Sequence, residues 1–263
     1  MRNVLLILAS VLFLTACAQS AGSDQVAKAL RDNPQLVFDA LKRDKAQLMD
    51  ILDQAVTERE EAEQKAALVR GLAAPLKPEL EAGRIFLGAA QAPVTIVEYS
   101  DFLCGYCGQG QATMHELLRR HPGQVRVFFK HFPARPGSLE PAVVFEALAL
   151  QSPEAAWRFA DLAFANQQTL VDGSGKGLAA LLASLEGSFK LDSARLKKDM
   201  QSKELRARIE ADVAEAKRFG VQGTPTFLVN GVTVRGAVPI EDFEDVLELV
   251  APADTAAAKA EAR

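Results

Sequence analysis

The sequence predicts a mixed α/β domain with a helical block inserted into it and an α-helical extension in front. Three observations lead there. A β-branched run, "APVTIVEYS", stops just before two cysteines three residues apart, Cys104 and Cys107. After a second strand candidate, "QVRVFFKHF", residues Pro141 to Phe219 read almost wholly as helix, and "GTPTFLVNGVTVRG" then returns to strand. Ahead of all this, residues 25–72 are charged, rich in Ala and Leu, and helical in period.

Residues 1–17 read as a signal segment. Arg2 precedes an apolar run from Val4 to Leu14, too short to span a bilayer, and small residues follow. "LTAC", Leu14 to Cys17, resembles the bacterial lipobox, which implies lipidation of Cys17 and a membrane-anchored protein. Ordinary cleavage after Ala16-Cys17-Ala18 also fits and would leave a soluble periplasmic protein. Either reading exports the chain to the periplasm or cell envelope.

Residues 24–80 form the predicted helical extension. Asn33 is placed as an N-cap with Pro34 at the first helical position, and Gly71 and Pro75 offer a stop. Leu41, Leu48, Ala55, Ala62 and Val69 recur every seven residues, a pattern weakened at Asp44 and Glu58. A continuous helix from Pro34 to Arg70 would be roughly 55 Å long, more than a small domain can cover, so it would pack on a second copy. Two shorter helices folded on the following domain are the alternative.

Residues 81–250 form the α/β domain. The helical block has breaks near Ser152-Pro153, Val171–Gly177 and Gly187–Asp192, and Asn230-Gly231 predicts a type I′ hairpin between the last two strands. A final amphipathic helix spans Ile240 to Val250, and residues 251–263 have nothing to bury and read as a disordered tail. The net charge of −4 and the lack of a basic patch give no reason to expect nucleic acid.

Export leaves Cys104 and Cys107 as the only thiols of the mature chain. A disulfide between them would close a tiny loop and stabilise little, so they are a poor staple. At the start of a helix, unpaired backbone N–H groups favour thiolate at Cys104, while Cys107 lies one turn further in. Cys104 can then attack a substrate disulfide and Cys107 can resolve the mixed disulfide, with no external cofactor. Structural zinc wants four ligands, and His115, His121 and His131 have no recognised ligand spacing to the pair. His115 is expected to be exposed and His121 to sit near a helix C-terminus. Two thiolates could hold Cu(I), so a copper(I)-binding thiol protein is the alternative function.

Thr224-Pro225 directly before a strand makes sense if the proline is cis in a tight turn. With "VTIVEYSDFLCGYC" and "GTPTFLVNG", the chain here resembles the thioredoxin superfamily. The separation 225 − 104 = 121, filled by the helical block, resembles its DsbA-like members. The resemblance implies a thioredoxin fold with a helical insertion, preceded by an N-terminal α-helical extension. It implies Cys104 as nucleophile, Cys107 as resolving cysteine, Pro225 as the cis-proline, and Glu98 and Lys130 as a proton relay. Glu98 as a solvent-facing strand-end residue fits equally. Gly105, Tyr106, Thr224 and Pro225 would line the substrate site. Gly105-Tyr106 and Thr224 are similar to the disulfide isomerase DsbC, and Tyr106 adds no positive charge beside the thiolate, so a less oxidising disulfide than in the strongest oxidases is expected. The helical extension is similar in layout to the ScsC group, which implies a homo-oligomer. The implied partners are cysteine-containing substrate proteins and a membrane redox partner, with activity in disulfide formation or isomerisation.

Overall fold

The computed structural model describes residues 21–171 and 175–251. The signal segment with Cys17 and nearly all of the expected tail lie outside them. The chain divides into two compact units, meeting between Ala62 and Glu63.

The first unit is helical: α1 (Ala21–Asp32), α2 (Gln35–Arg43) and the greater part of α3 (Lys45–Ala73). The single helix expected from Pro34 is therefore broken. Asp44 leaves helical geometry at φ −114°, ψ 50°, at one of the two places where the heptad loses its apolar residue. At the other, Glu58, the helix runs on, with Gln54 Nε2 donating to the Glu58 carboxylate at 2.8 Å. Asn33 does not cap the following helix; its amide reaches back to the Ala29 carbonyl at 3.3 Å and closes α1. Pro34 takes the cap position of α2 instead of its first turn. The 29 residues of α3 span about 44 Å. None of the described side chains of this unit is buried, and Leu36, Val37, Phe38, Leu41, Met49, Ile51 and Leu52 are exposed.

In the second unit, the end of α3 packs its buried Ala67 and Gly71 inward. Gly71 is not the expected stop. A Cβ there would lie 3.1 Å from Val232 Cα, so the glycine lets the helix approach the sheet, and the helix ends at Ala73 before Pro75. The sheet contains β1 (Phe86–Gly88), β2 (Val94–Ser100), β3 (Val125–His131), β4 (Thr226–Val229) and β5 (Val232–Arg235), in the order β1-β3-β2-β4-β5. β2 and β3 run parallel and the other pairs antiparallel. β1 is too short to show a strand period and was not expected. The turn between β4 and β5 has positive φ at both Asn230 (47°) and Gly231 (89°), as a type I′ turn demands.

The remaining helices are α4 (Gly105–Arg120), α5 (Leu139–Ala149), α6 (Pro153–Ala165), α7 (Gln167–Val171), α8 (Lys176–Glu186), α9 (Ser193–Asp199), α10 (Lys203–Arg218) and α11 (Ile240–Val250). The helical block thus starts at Leu139 and has two further breaks. Asn166 ends α6, and Ser202 caps α10 by accepting from the N–H groups of Glu204 and Leu205. On one face of the sheet, Ile96, Val127 and Phe227 pack with Met114 and Leu117 of α4 and Phe243 of α11. On the other, Val97, Tyr99, Phe128 and Leu228 pack with Ala216 of α10. A third core of Phe102, Phe129, Phe145, Trp157 and Phe159 joins the helical block to the sheet.

Candidate active site

β2 delivers the chain to the cysteine turn, and Asp101 shapes that turn. Its side chain accepts from Leu103 N–H at 2.8 Å and its carbonyl accepts from Cys104 N–H at 2.9 Å. Cys104 is the N-cap of α4 with extended backbone, φ −90° and ψ 117°. Its sulfur therefore faces the free N–H groups of the first helical turn. Cys107 lies one turn on, with Asp101 N–H donating to its sulfur at 3.5 Å. Both thiols are free.

The Thr224-Pro225 peptide bond is cis, and the turn it makes faces the cysteine pair. Cys104 Sγ donates to the Thr224 carbonyl at 3.3 Å. Cys104 is 2% exposed beneath this turn, and Cys107 is 0% exposed. Tyr106 stands out at 65% exposed, with Gly105 exposed beside it. The turn can come this close because Gly110 of α4 has no side chain. A Cβ there would sit 2.9 Å from Phe227 Cζ and 3.2 Å from Pro225 Cγ. Gly110→Ala is expected to destabilise the fold by roughly 1–3 kcal/mol and to slow exchange chemistry at Cys104. Urea unfolding checks the first, and an unshifted midpoint would show that the turn is not seated on this glycine.

The two thiols differ in ionisation. Burial raises the Cys104 thiol, but hydrogen bonding from the Thr224 side chain (not the carbonyl contact), then from the backbone and side chain of Cys107, and the charge of Arg135 outweigh it, so it lies below its ordinary value. Cys107 is held far above its ordinary value, by burial first and then by the negative field of Glu98.

Glu98 is fully buried, with no hydrogen-bond partner for either carboxylate oxygen among the described residues. Burial pushes it up to about 7, against smaller opposing effects of Ser100 and His115. It pairs with Phe129 and shares the sheet face of Ile96, which is the α4 side. Lys130 does not join it. Lys130 pairs with Tyr99, one residue out of step, and so points to the opposite face. There it meets the Glu215 carboxylate and lies 3.4 Å from Asp212.

Several neighbours escaped the sequence reading. Asp101, three before Cys104, closes an Asx-turn that its spacing could have signalled. Gln167 of α7 donates to the carbonyls of Phe102 (2.9 Å) and Cys104 (2.8 Å), clamping the turn to the helical block with no local sequence cue. Arg135 reaches the Asp101 carboxylate at 3.7 Å. His115 is half-exposed as expected but paired with Asp161 at 2.9 Å, a bond that raises its pKa. His121 caps the end of α4. His131 is buried against Glu146. Among the described residues no three His, Cys, Asp or Glu groups form a metal site. An open cavity of about 430 Å³ beside His115, Trp157 and Asp161 contains neither cysteine.

The family model described as thioredoxin matches residues 81–249. The probable disulfide bond formation protein D of Bacillus cereus is 32% identical over 152 residues, 55% of this chain and 69% of that protein. The Na(+)/H(+) antiporter NhaA 3 of Salinispora tropica is 36% identical over 173 residues, 65% of this chain and 24% of the antiporter. The chain thus spans about a quarter of the length of the antiporter. Among solved structures, DsbA2 of Pseudomonas aeruginosa superposes with a TM-score of 0.54 at 25% identity, covering 66% of this chain and 97% of that one. A cysteine of lowered pKa at a helix N-terminus, a buried second cysteine and a cis-proline turn across from them thus occur on a matching scaffold, and the chain belongs to the thioredoxin family, in its DsbA-like branch.

Proposed function

We propose that the protein is an exported thiol:disulfide oxidoreductase acting on cysteine-containing proteins, forming or isomerising their disulfides. One observation carries this: Cys104 Sγ lies at the N-terminus of α4, 3.3 Å from the carbonyl that precedes a cis-proline, with Cys107 buried behind it. The Cys104 thiolate attacks a substrate disulfide; a Cys104–substrate S–S bond forms and one substrate thiolate leaves. Cys107 then loses its proton and attacks Cys104 Sγ, which releases the second substrate thiolate and leaves the Cys104–Cys107 disulfide. The reverse sequence oxidises a substrate dithiol. In isomerisation a different substrate thiolate, not the one just freed, attacks the mixed disulfide at the substrate sulfur, which forms a new substrate S–S bond and returns Cys104 reduced.

Glu98 is the base for Cys107 in this reading. It is buried without a hydrogen-bond partner, and its field acts on that thiol. Lys130 serves instead to hold α10 against the sheet. Tyr106, exposed and uncharged, and half-buried Thr224 form the surface that meets the substrate chain, with Pro225 buried in the turn beneath them. An uncharged Tyr106 beside the thiolate supports a pair less oxidising than the strongest oxidases. Equilibration with glutathione buffers tests the assignment: a potential between ~−120 mV and ~−270 mV fits formation or isomerisation, and one at or below ~−270 mV would make the protein a reductase. The leader and "LTAC" support export with anchoring through Cys17, and the exposed apolar residues of α1 to α3 support self-association through the extension.

Glu98 also gives a pH prediction with a definite sign. Its folded value of about 7 stands above the ordinary 4.5, so the folded state holds a proton that the unfolded chain has already released. Stability therefore falls as pH rises between these values and stays lowered above about 7, by roughly 3 kcal/mol. Glu98→Gln should match the parent near pH 4, exceed its unfolding free energy by about that amount above pH 7, and slow the Cys107 step. An equal stability difference at both pH values would remove Glu98 as a titrating group.

A further inference from the structure

We infer that Arg135 selects substrates carrying an acidic residue beside the reacting cysteine, an inference that rests on the exchange activity proposed above. The Asp101 carboxylate ties together two pieces of chain. One oxygen accepts from Leu103 N–H at 2.8 Å, and the other accepts from the N–H groups of Ala134 (3.0 Å) and Arg135 (3.2 Å). Cys104 N–H donates to the carbonyl of the same Asp101 at 2.9 Å. The loop between β3 and α5 also packs on the cysteine turn, since a Cβ at Gly137 would touch Leu103 Cδ1 at 3.6 Å. Arg135 is thereby carried on a loop fixed to the nucleophile's own turn.

Its guanidinium leans on Asp101 through Nη1 at 3.7 Å, yet 47% of the side chain is exposed, while Asp101 is fully covered. Three backbone N–H donors already satisfy the Asp101 carboxylate, so its charge is well compensated and the arginine's remaining donors face outward. A guanidinium presents five N–H donors in a planar fork that fits a carboxylate in two-point contact. The position is close enough for its charge to act on the Cys104 thiol. The other rim groups, Gly105, Tyr106 and Thr224, carry no charge to compete with it. An Asp or Glu one or two residues from a substrate cysteine would meet this fork as the disulfide reaches Cys104, and a Lys or Arg would be repelled.

Three synthetic peptides test this. They are identical except for Asp, Ala or Lys next to a single cysteine, held as a mixed disulfide with neutral mercaptoethanol. In a single turnover the reduced protein becomes the Cys104–Cys107 disulfide, and the peptide disulfide becomes two thiols that take up the two cysteine protons. The parent should react about 10-fold faster with the Asp peptide than with the Lys peptide at low salt, and the ratio should shrink in high salt. Arg135→Gln should bring the ratio near one, and Arg135→Glu should invert it. Any general effect of the substitution on Cys104 reactivity moves all three peptides together and cancels in the ratio. A parent ratio near one, or a ratio unchanged in Arg135→Gln, overturns the inference. No reaction with any peptide, Ala included, overturns the exchange activity itself.

Discussion

Cys104→Ser is expected to slow disulfide exchange at least about a thousandfold. The serine hydroxyl is nearly the same size and can keep its contact with the Thr224 carbonyl, so the loss would be chemical. It does not ionise near neutral pH at a helix N-terminus, and it has no sulfur with which to form the mixed disulfide. The same geometry predicts a different result for the second cysteine. Cys107→Ser leaves the lowered Cys104 thiol intact but removes the group that releases the substrate. That variant should accumulate protein–substrate adducts that a reducing agent dissolves. Recovery of activity from a scrambled disulfide protein, followed beside non-reducing electrophoresis, reads both outcomes. Rapid recovery with Cys104→Ser, or adducts forming through Cys107 in its place, would assign the nucleophile wrongly. Alkylation near neutral pH adds a check on access. Cys104, a residue 2% exposed under the Thr224-Pro225 turn, should react more slowly with a bulky maleimide than with iodoacetamide, and Cys107 should resist both.

The cysteine turn, the cis-proline turn and the hairpin were legible because each depends on a few adjacent residues with strong local preferences. The sidedness of the central strands was not. β2 and β3 are covered on both faces and are buried almost throughout, so neither shows the alternation that would place Glu98 or Lys130. Counting to a strand end finds a lysine, but the pairing of Glu98 with Phe129 puts Lys130 on the wrong face for a relay. In the extension, the heptad pattern carried past Asp44, where a single residue outside helical geometry separates α2 from α3. Access to Cys104 was also beyond the sequence, since its cover comes from a turn 120 positions away. Arg135 went unnoticed for a similar reason: its significance comes from the Asp101 carboxylate 34 positions earlier.

The second large effect is expected at Asp212, where Asp212→Ala should destabilise the fold by roughly 3–5 kcal/mol. Its carboxylate has no exposure and accepts from Arg84 Nη1 at 3.0 Å, Arg84 Nη2 at 2.9 Å and the backbone N–H of His131 at 3.0 Å, with Lys130 Nζ 3.4 Å away. Arg84 is itself buried and its pKa is raised, against the pull of desolvation, chiefly by the Asp212 charge. Removing the carboxylate would leave two buried cations sharing Glu215, Glu146 and Glu81, and one backbone donor without its acceptor. The damage reaches the site because α10 runs directly into it. Val221 N–H donates back to the Ala216 carbonyl at 2.9 Å, and Thr224-Pro225 follows at once. A lower urea midpoint at unchanged slope would report this loss, and an unfolding free energy within about 0.5 kcal/mol of the parent would mean that the cluster is held by its other members. Lys130→Met separates the two roles considered for that lysine. As a cation holding Glu215 it should lower the midpoint, because Glu215 would keep only Tyr99 and the Glu79 N–H as close donors. As a proton carrier it should lower the exchange rate and leave the midpoint alone, and its place on the sheet face away from Glu98 argues for the first.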